Sequence, residues 1–335
     1  MKEMKYKNLM KEDTIYKQIL LYGFLASVFF SSTFAINKFL NIDTDGHWFW
    51  TAALRYIYVF VLLNIIIIIR NNLDSLKKTY SCFFNNFLFW LLAGGIGFGV
   101  FYMCLCYAAS YSDGWVLASS WQTTILFTPL VLYIFGEKVN KKGILHLFFM
   151  FVGVIFINSY AFDSFNLKLA NSIIPILLAS FAYPFGNTLC KYASQGRYKN
   201  LSVSNFKVSR KPINQILLMV LGALPLIGFT GFIVQPKAPT EEQLSYIVIV
   251  ALLSGVIATY FLFKARNLAK KDPNALAFAD GTQALESPLA LFWGYFCFKE
   301  TFPNYIGLIG LMLLTISMYM YYTDSIKNKS NSLKN

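Results

Sequence analysis

Charge is scarce in this sequence: 13% of its 335 residues are Asp, Glu, Lys or Arg, against 56% hydrophobic. That is too little polar surface to coat a water-soluble particle of this size, which excludes an ordinary soluble domain. Histidine is scarcer still, with His47 and His146 the only 2, and no His/Cys/Asp/Glu cluster has the spacing of a metal site. The cysteines Cys82, Cys104, Cys106, Cys190 and Cys297 form no CxxC pair and fall mostly in apolar runs, so they read as small apolar residues. No GxxxxGK[ST] loop and no catalytic constellation is present, which argues against an ATP-driven machine and against an enzyme, and calls for no cofactor.

What the sequence has instead is apolar residues in blocks of ~20, the length a helix needs to cross a hydrocarbon core ~30 Å thick. Continuous runs of this kind suit helices and not the alternating pattern of a membrane barrel. Ten spans are expected near 19–40, 47–69, 86–110, 114–135, 143–160, 169–190, 213–235, 244–263, 273–298 and 304–322. The basic start, Lys2 to Lys17, lacks the short apolar core and cleavage site of a removable signal peptide and reads as a cytosolic tail.

The net charge of +13 is distributed by loop. Basic residues crowd alternate connections: the N-terminal lysines; Arg70, Lys77 and Lys78; Lys138, Lys141 and Lys142; Lys191 through Lys211; Lys264, Arg266, Lys270 and Lys271; and the C-terminal lysines. The opposite side has Lys168, Lys237 and Lys299. This is the positive-inside pattern, which places both termini in the cytosol and makes the number of spans even. The charge is thus a topology signal, and nucleic acid is not an expected partner. Richness in Lys, Asn, Ile and Phe fits an AT-rich bacterial genome, hence a bacterial cytoplasmic membrane.

The two halves of the chain resemble each other. Leu25-Ala26-Ser27 matches Leu178-Ala179-Ser180, with Lys38 opposite Lys191. Asp113, Leu117-Ala118, Thr123, Leu126 and Pro129 match Asp272, Leu276-Ala277, Thr282, Leu285 and Pro288, and Glu137 realigns with Glu300 one helical turn later. A five-span repeat has an odd number of crossings, so its second copy enters from the other side. The expected architecture is therefore an all-α polytopic membrane protein of two inverted five-helix repeats, a frame typical of secondary transporters. The chain divides into a cytosolic tail 1–18, a first repeat 19–160, a second repeat 161–322 containing the basic cytosolic loop 191–212, and a cytosolic tail 323–335.

Gly95-x-x-x-Gly99 predicts close helix packing. Pro129, Pro184, Pro225 and Pro288 lie inside spans, and the first, second and fourth are hinge candidates. The residues that could carry chemistry are charges at lipid depth, each costing at least ~2.5 kcal/mol on insertion scales. Span nine holds Asp280, Gln283 and Glu286 on an arc of about 120°, one polar stripe turned to the bundle interior. Span two supplies Arg55 within reach of Glu286. One reading makes Arg55 and Glu286 a structural ion pair. The other makes Glu286 a carboxylate that takes up a proton and a cationic or polar substrate in turn, with Asp280 as an entry relay. Lys38 and Lys191 are expected to snorkel from span ends. Tyr102, Trp121 and Tyr183 are candidates to line a cavity.

Ala53-Leu54-Arg55-Tyr56, Gly97-Phe98-Gly99-Val100-Phe101-Tyr102, Gly114-Trp115 with Trp121-Gln122-Thr123-Thr124-Ile125, Ala182-Tyr183-Pro184-Phe185-Gly186-Asn187 and Ser254-Gly255-Val256-Ile257-Ala258-Thr259 resemble the drug/metabolite transporter superfamily. The branch they resemble is that of the ten-span, EamA-like multidrug resistance efflux transporters, and the likeness covers nearly the whole membrane region. It implies five-plus-five inverted repeats, export of a small molecule, and Gln122 and Asn187 as further cavity residues. The branch carries Glu where this chain has Asp280, so the charge is kept and the reach shortened. The expected function is proton-coupled export of drugs or metabolites by a monomer or homodimer. The alternatives are an uncoupled facilitator or exchanger of amino acids or related solutes, and a membrane scaffold.

Overall fold

The computed structural model describes residues 2–137, 141–157, 167–197, 208–269, 272–300 and 302–332. These are helical throughout apart from short connections, with no strand among the described residues. The helices are α1 (Lys2–Lys38), α2 (Trp48–Asn71), α3 (Leu73–Asn85), α4 (Phe87–Ala108), α5 (Gly114–Ile134), α6 (Lys141–Ile157), α7 (Leu167–Ser194), α8 (Pro212–Val234), α9 (Glu241–Leu268), α10 (Pro273–Gly281), α11 (Glu286–Phe298) and α12 (Tyr305–Ser332).

Among the described residues, seven helical segments are long and apolar enough to cross a membrane: Thr14–Asp43, Trp48–Asn71, Phe87–Ala108, Gly114–Ile134, Asn171–Ser194, Pro212–Val234 and Glu241–Leu268. Two further expected spans correspond to shorter apolar helices, Ile144–Ile157 and Tyr305–Tyr321. The expected ninth span is cut by a 3₁₀ turn, Thr282–Leu285, between α10 and α11. The boundary expected at 160/161, and residues 198–207 of the basic loop, lie outside the described residues. Large apolar side chains such as Phe232 and Leu88 stand 78% and 77% exposed on the outer faces. In water such a surface would aggregate; in lipid it is the solvated one.

Local signals explain several helix ends. Thr240 and Gln243 form a reciprocal capping box at the start of α9. His47 caps α2 by accepting from the Phe49 N–H at 3.2 Å. Asn72, with φ of 73°, caps α3 by accepting from the Ser75 N–H. Residues 70–85 lie between the expected second and third spans; most of them form the amphipathic helix α3, with Leu76, Thr79, Cys82 and Phe83 buried.

Close packing does rest on glycine, but not chiefly on the expected pair. A Cβ on Gly94 would stand 2.2 Å from the Met219 carbonyl oxygen, one on Gly97 2.8 Å from Gly186 Cα, and one on Gly222 1.9 Å from the Trp90 carbonyl oxygen. At Gly95 and Gly99 the corresponding nearest contacts are 3.5 and 3.2 Å. The tight crossings of α4 with α7 and α8 therefore use Gly94 and Gly97. Gly153 and Gly310 oppose each other in the same way where α6 meets α12.

Irregular backbone recurs at corresponding places in the two halves. α4 carries a π segment at Gly95–Val100, and α9 one at Ala251–Ala258. α5 is interrupted at Gln122 and Thr123 between Trp121 and Thr124, and the α10–α11 pair at Thr282–Leu285. The prolines expected to act as hinges, Pro129 and Pro288, lie inside the helical pieces that follow these breaks. A proline unsettles the carbonyl four residues before it, here Ile125 and Ala284, which puts the distortion at or beside each break. Pro184 lies inside the continuous α7. Ser27 of α1 donates to the Thr282 carbonyl at 3.0 Å, and its repeat mate Ser180 of α7 accepts from the Thr123 hydroxyl at 2.8 Å. Each break is thus held by a serine from the other half of the chain.

Candidate functional site

The 3₁₀ turn and the α9 π segment each place a residue, Gln283 and Ser254, on the wall of one pocket within the bundle, which the residues next to the α4 π segment and the α5 break, Phe101 and Trp121, also line. α2 contributes Arg55, α4 Tyr102, α5 Trp121, α7 Tyr183, the 3₁₀ turn Gln283, and α11 Glu286. All six are among the residues singled out from the sequence. The irregular segments matter here because they bring backbone and short side chains to the wall: Ser254, in the α9 π segment, faces the same space.

One wall is aromatic. The rings of Phe101, Trp121 and Tyr183 contact one another pairwise, with centroids 4.8 Å apart for Phe101 and Trp121, 4.7 Å for Phe101 and Tyr183, and 5.2 Å for Trp121 and Tyr183. Tilted and edge-on geometry at these spacings presents both π faces and ring edges to an occupant.

Arg55 supplies the cation of the pocket. Arg55 is 4% exposed, with its guanidinium carbon 3.9 Å from the centre of the Tyr102 ring. Its Nη2 donates to Ser254 Oγ at 2.9 Å and its Nη1 to the Tyr56 hydroxyl at 3.5 Å, while Nε has no partner. Tyr102 is in turn fixed by Asn37, which donates to its hydroxyl at 3.1 Å. Glu286, 1% exposed, has the Trp121 indole as its polar neighbour, and its Oε1 has no partner. The direct Arg55–Glu286 ion pair considered from the sequence is not formed: Arg55 spends its donors on hydroxyls and an aromatic face, and both charges border the cavity separately.

Asp280 lies elsewhere. It is ion-paired with Arg266 near the end of α9 and also accepts from the Thr128 hydroxyl at 3.3 Å, and it does not line the cavity. Arg266 was read from the sequence as a cytosolic loop charge; it is 1% exposed, because α9 continues past the apolar run to Leu268. The signal was the need of a buried acid for a base, but Arg55 lies well inside an apolar run and Arg266 at the end of one, among loop charges. Lys191 likewise does not snorkel. It is 4% exposed and borders a second space of about 170 Å³ with Glu137, Arg197 and Asp272, where Arg197 pairs with Glu137. Lys38 is ion-paired with Asp43 at 3.1 Å near the other end of the bundle.

Gln122 and Asn187 are buried outside the cavity wall. Gln122 Nε2 donates to the Ala118 carbonyl at 3.1 Å within its own helix, and both side-chain polar atoms of Asn187 are without a partner. Ser119 and Ser287 hydrogen-bond across the interface of α5 and α11, tying the two interrupted elements together.

The chain has relatives among known proteins. It is 28% identical over 324 residues to the "Uncharacterized protein YjlA" of Bacillus subtilis (strain 168), covering 90% of this chain and 93% of that one. It is 31% identical over 278 residues to an "Uncharacterized 42.1 kDa protein in intracellular alkaline protease 3'region" of Shouchella clausii, covering 80% of this chain and 69% of that one. A solved structure described as "Crystal structure of protein" superposes with a TM-score of 0.58 at 13% identity, covering 91% of this chain and 97% of the other, a likeness of fold alone. The family described as "EmrE: Putative multidrug resistance efflux transporter" matches residues 17–327. A multi-pass helical membrane protein with an internal polar and aromatic cavity, this chain belongs to that family of small-molecule efflux transporters.

Proposed function

We propose that this protein exports a small molecule across a bacterial cytoplasmic membrane in exchange for protons, with the cavity between Arg55 and Glu286 as the substrate site and Glu286 as the coupling carboxylate. The observation that carries the reading is the unpartnered carboxylate oxygen of buried Glu286 at the wall of a polar and aromatic pocket. A single carboxylate can hold a proton or face a cationic group of a substrate; using one group for both, in turn, links the two fluxes.

In this reading the chain crosses the membrane ten times as two inverted repeats with both termini in the cytosol. The matched breaks at Gln122–Thr123 and Thr282–Leu285, the matched π segments, and the reciprocal serines Ser27 and Ser180 support the inversion. The alternation of basic loops supports the orientation. Rocking of one half against the other would expose the central cavity to each side in turn, with the interrupted helices accommodating the change.

The test is transport by purified protein in liposomes under an imposed pH gradient, with wild type and Glu286→Gln in parallel. Glu286→Gln is expected to insert and fold yet lose proton-driven transport. Normal transport with unchanged pH dependence in this variant would remove Glu286 from the coupling role and leave uncoupled exchange. Topology is checked separately. Single cysteines at Asp45 and Glu242, in a background without the native cysteines, should react with an impermeant reagent from outside the cell, and one at Ser75 should not.

A further inference from the structure

Glu300 and Glu137 are counterparts in the sequence repeat, as are Asp113 and Asp272. The two glutamates close their helices alike. Each follows a residue with positive φ, Lys299 at 54° and Gly136 at 79°, and donates its N–H back to the helix, to the Gly294 carbonyl at 3.0 Å and the Leu132 carbonyl at 2.9 Å. Their carboxylates, however, are used differently.

Glu300 is 5% exposed and accepts from the Gly114 and Trp115 N–H groups at 3.0 and 3.4 Å. A carboxylate that follows α11, in the second half of the chain, thus caps α5 in the first. Its seat is prepared on both sides. A Cβ on Gly294 would stand 2.4 Å from Glu300 Oε2, and one on Gly114 2.7 Å from Ala35 Cα of α1. Asp113, at the cap position itself, makes no cap bond with its side chain, which leaves the place to Glu300. At the other end of the bundle Asp272 caps α10 itself, accepting from the Asn274 and Ala275 N–H groups. The counterpart of Gly114 there is Pro273, which has no N–H to give, and Glu137 is ion-paired with Arg197 just beyond α7.

A cap from its own helix would serve stability as well, as Asp272 shows. Glu300 instead ends a hydrogen-bonded seam along α11. Starting beside Glu286 at the pocket, Ser287 bonds Ser119 of α5, Trp293 donates to Ser31 of α1 at 3.1 Å, and Glu300 holds the N-terminus of α5. Every contact in this series joins the second half to the first, and all run from the pocket toward the same end of the bundle. Rocking one half against the other must part such a seam to open that end.

We propose that this seam is the outer gate of the transporter and that Glu300 is its latch, so that opening the pocket to the outside requires Glu300 to leave the N-terminus of α5. The proposal rests on the reading of the chain as an alternating-access transporter with this end outside.

The experiment measures how fast an impermeant maleimide reaches Thr33→Cys, a buried position of the pocket wall, in a background without the native cysteines. Right-side-out and inside-out membrane vesicles are compared, with Asp45→Cys as the exposed control. Glu300→Ala should speed labelling from outside about tenfold or more, the population shift that follows from losing hydrogen bonds to a charged group. Gly294→Ala keeps the carboxylate but places a carbon where it sits, and should act in the same direction. Glu300→Gln keeps an acceptor and should fall between wild type and Glu300→Ala. Arg197→Ala, at the other end, should not speed labelling from outside. If Glu300→Ala fails to fold, Gly294→Ala and Glu300→Gln decide. Folded variants that melt lower with unchanged labelling would reduce Glu300 to a structural cap and overturn the proposal, as would a Thr33→Cys that no variant makes reachable from either side. Faster labelling from the cytosolic face instead would uphold the latch and overturn the orientation. The expected labelling beside a Glu286→Gln variant that transports normally would uphold the gate and remove only the coupling carboxylate.

Discussion

Among the described residues, two buried pairs of opposite charge are built differently. Arg266 and Asp280 are in direct contact, with Thr128 donating to the second carboxylate oxygen. Arg55 and Glu286 face a shared space, with Arg55 tied to Ser254, Tyr56 and the Tyr102 ring and Glu286 left with a free oxygen. A buried ion that finds its partner within the protein has little left to offer a ligand. One that does not is a site in waiting, and under the proposed function this difference gives α10 near its junction with α9 a structural role and the α2, α11 pocket the transport role.

The comparison can be broken from the structural side first. Asp280→Ala leaves Arg266 buried and unpaired and is expected to cost about 3–5 kcal/mol, seen as a large drop in the melting temperature of the protein in detergent. The double replacement Arg266→Met with Asp280→Leu should recover most of that loss, since removing both charges removes the penalty. If the single change is as mild as the double, the pair is not the closed unit described here. Gly222→Val probes the frame around both sites: its added carbons would run into the Trp90 carbonyl of α4, and a loss of about 1–3 kcal/mol or failure to fold is expected.

Smaller effects sharpen the picture. Ser254→Ala removes one hydrogen bond from Arg55, and its stability effect should stay within about 1–3 kcal/mol, with the change showing mainly in substrate affinity. The smallest effect concerns His47, outside the membrane spans. Burial and the nearby Lys237 hold its pKa below the ordinary histidine value, and its ring nitrogen must be unprotonated to accept from the Phe49 N–H. Because the depressed pKa means the unfolded chain binds the proton more readily, this contribution is present above the ordinary histidine pKa and lost as pH falls through it toward the folded value. His47→Asn, which can also cap, should flatten that small slope in melting temperature against pH.

Much of this was legible in the sequence because it depends on one-dimensional quantities. Apolar blocks of about twenty residues give membrane-spanning helices, and the matches around Ser27 and Ser180 or Thr123 and Thr282 mark the segments that turn out to be irregular or to hold the irregular ones. Arg55, Tyr102, Trp121, Tyr183, Gln283 and Glu286 were recognisable because polar or amphipathic residues at lipid depth need an interior to face. The pairing was not legible. Whether Asp280 meets Arg55 or Arg266 depends on how far α9 extends beyond its apolar run and how α10 crosses it, which hydropathy does not encode. The same holds for Gly94 and Gly97 in place of Gly95 and Gly99: the spacing signalled a packing face, and the crossing geometry with α7 and α8 chose which glycines meet the neighbouring backbone. α3 was missed because an amphipathic helix at the membrane edge resembles a polar connection when only long apolar runs are counted.

The central claim is that the carboxylate without a partner works and the paired one supports the fold, and it is tested most directly by measuring two conservative variants by both readouts. Glu286→Gln and Asp280→Asn are each purified, melted in detergent, and reconstituted for proton-driven transport normalised to folded protein. The account predicts that Glu286→Gln melts at or above the wild-type temperature and transports nothing under a pH gradient, while Asp280→Asn melts lower and keeps transport per folded molecule. An Asp280→Asn variant that is stable but uncoupled, beside a Glu286→Gln variant that transports normally, would contradict it.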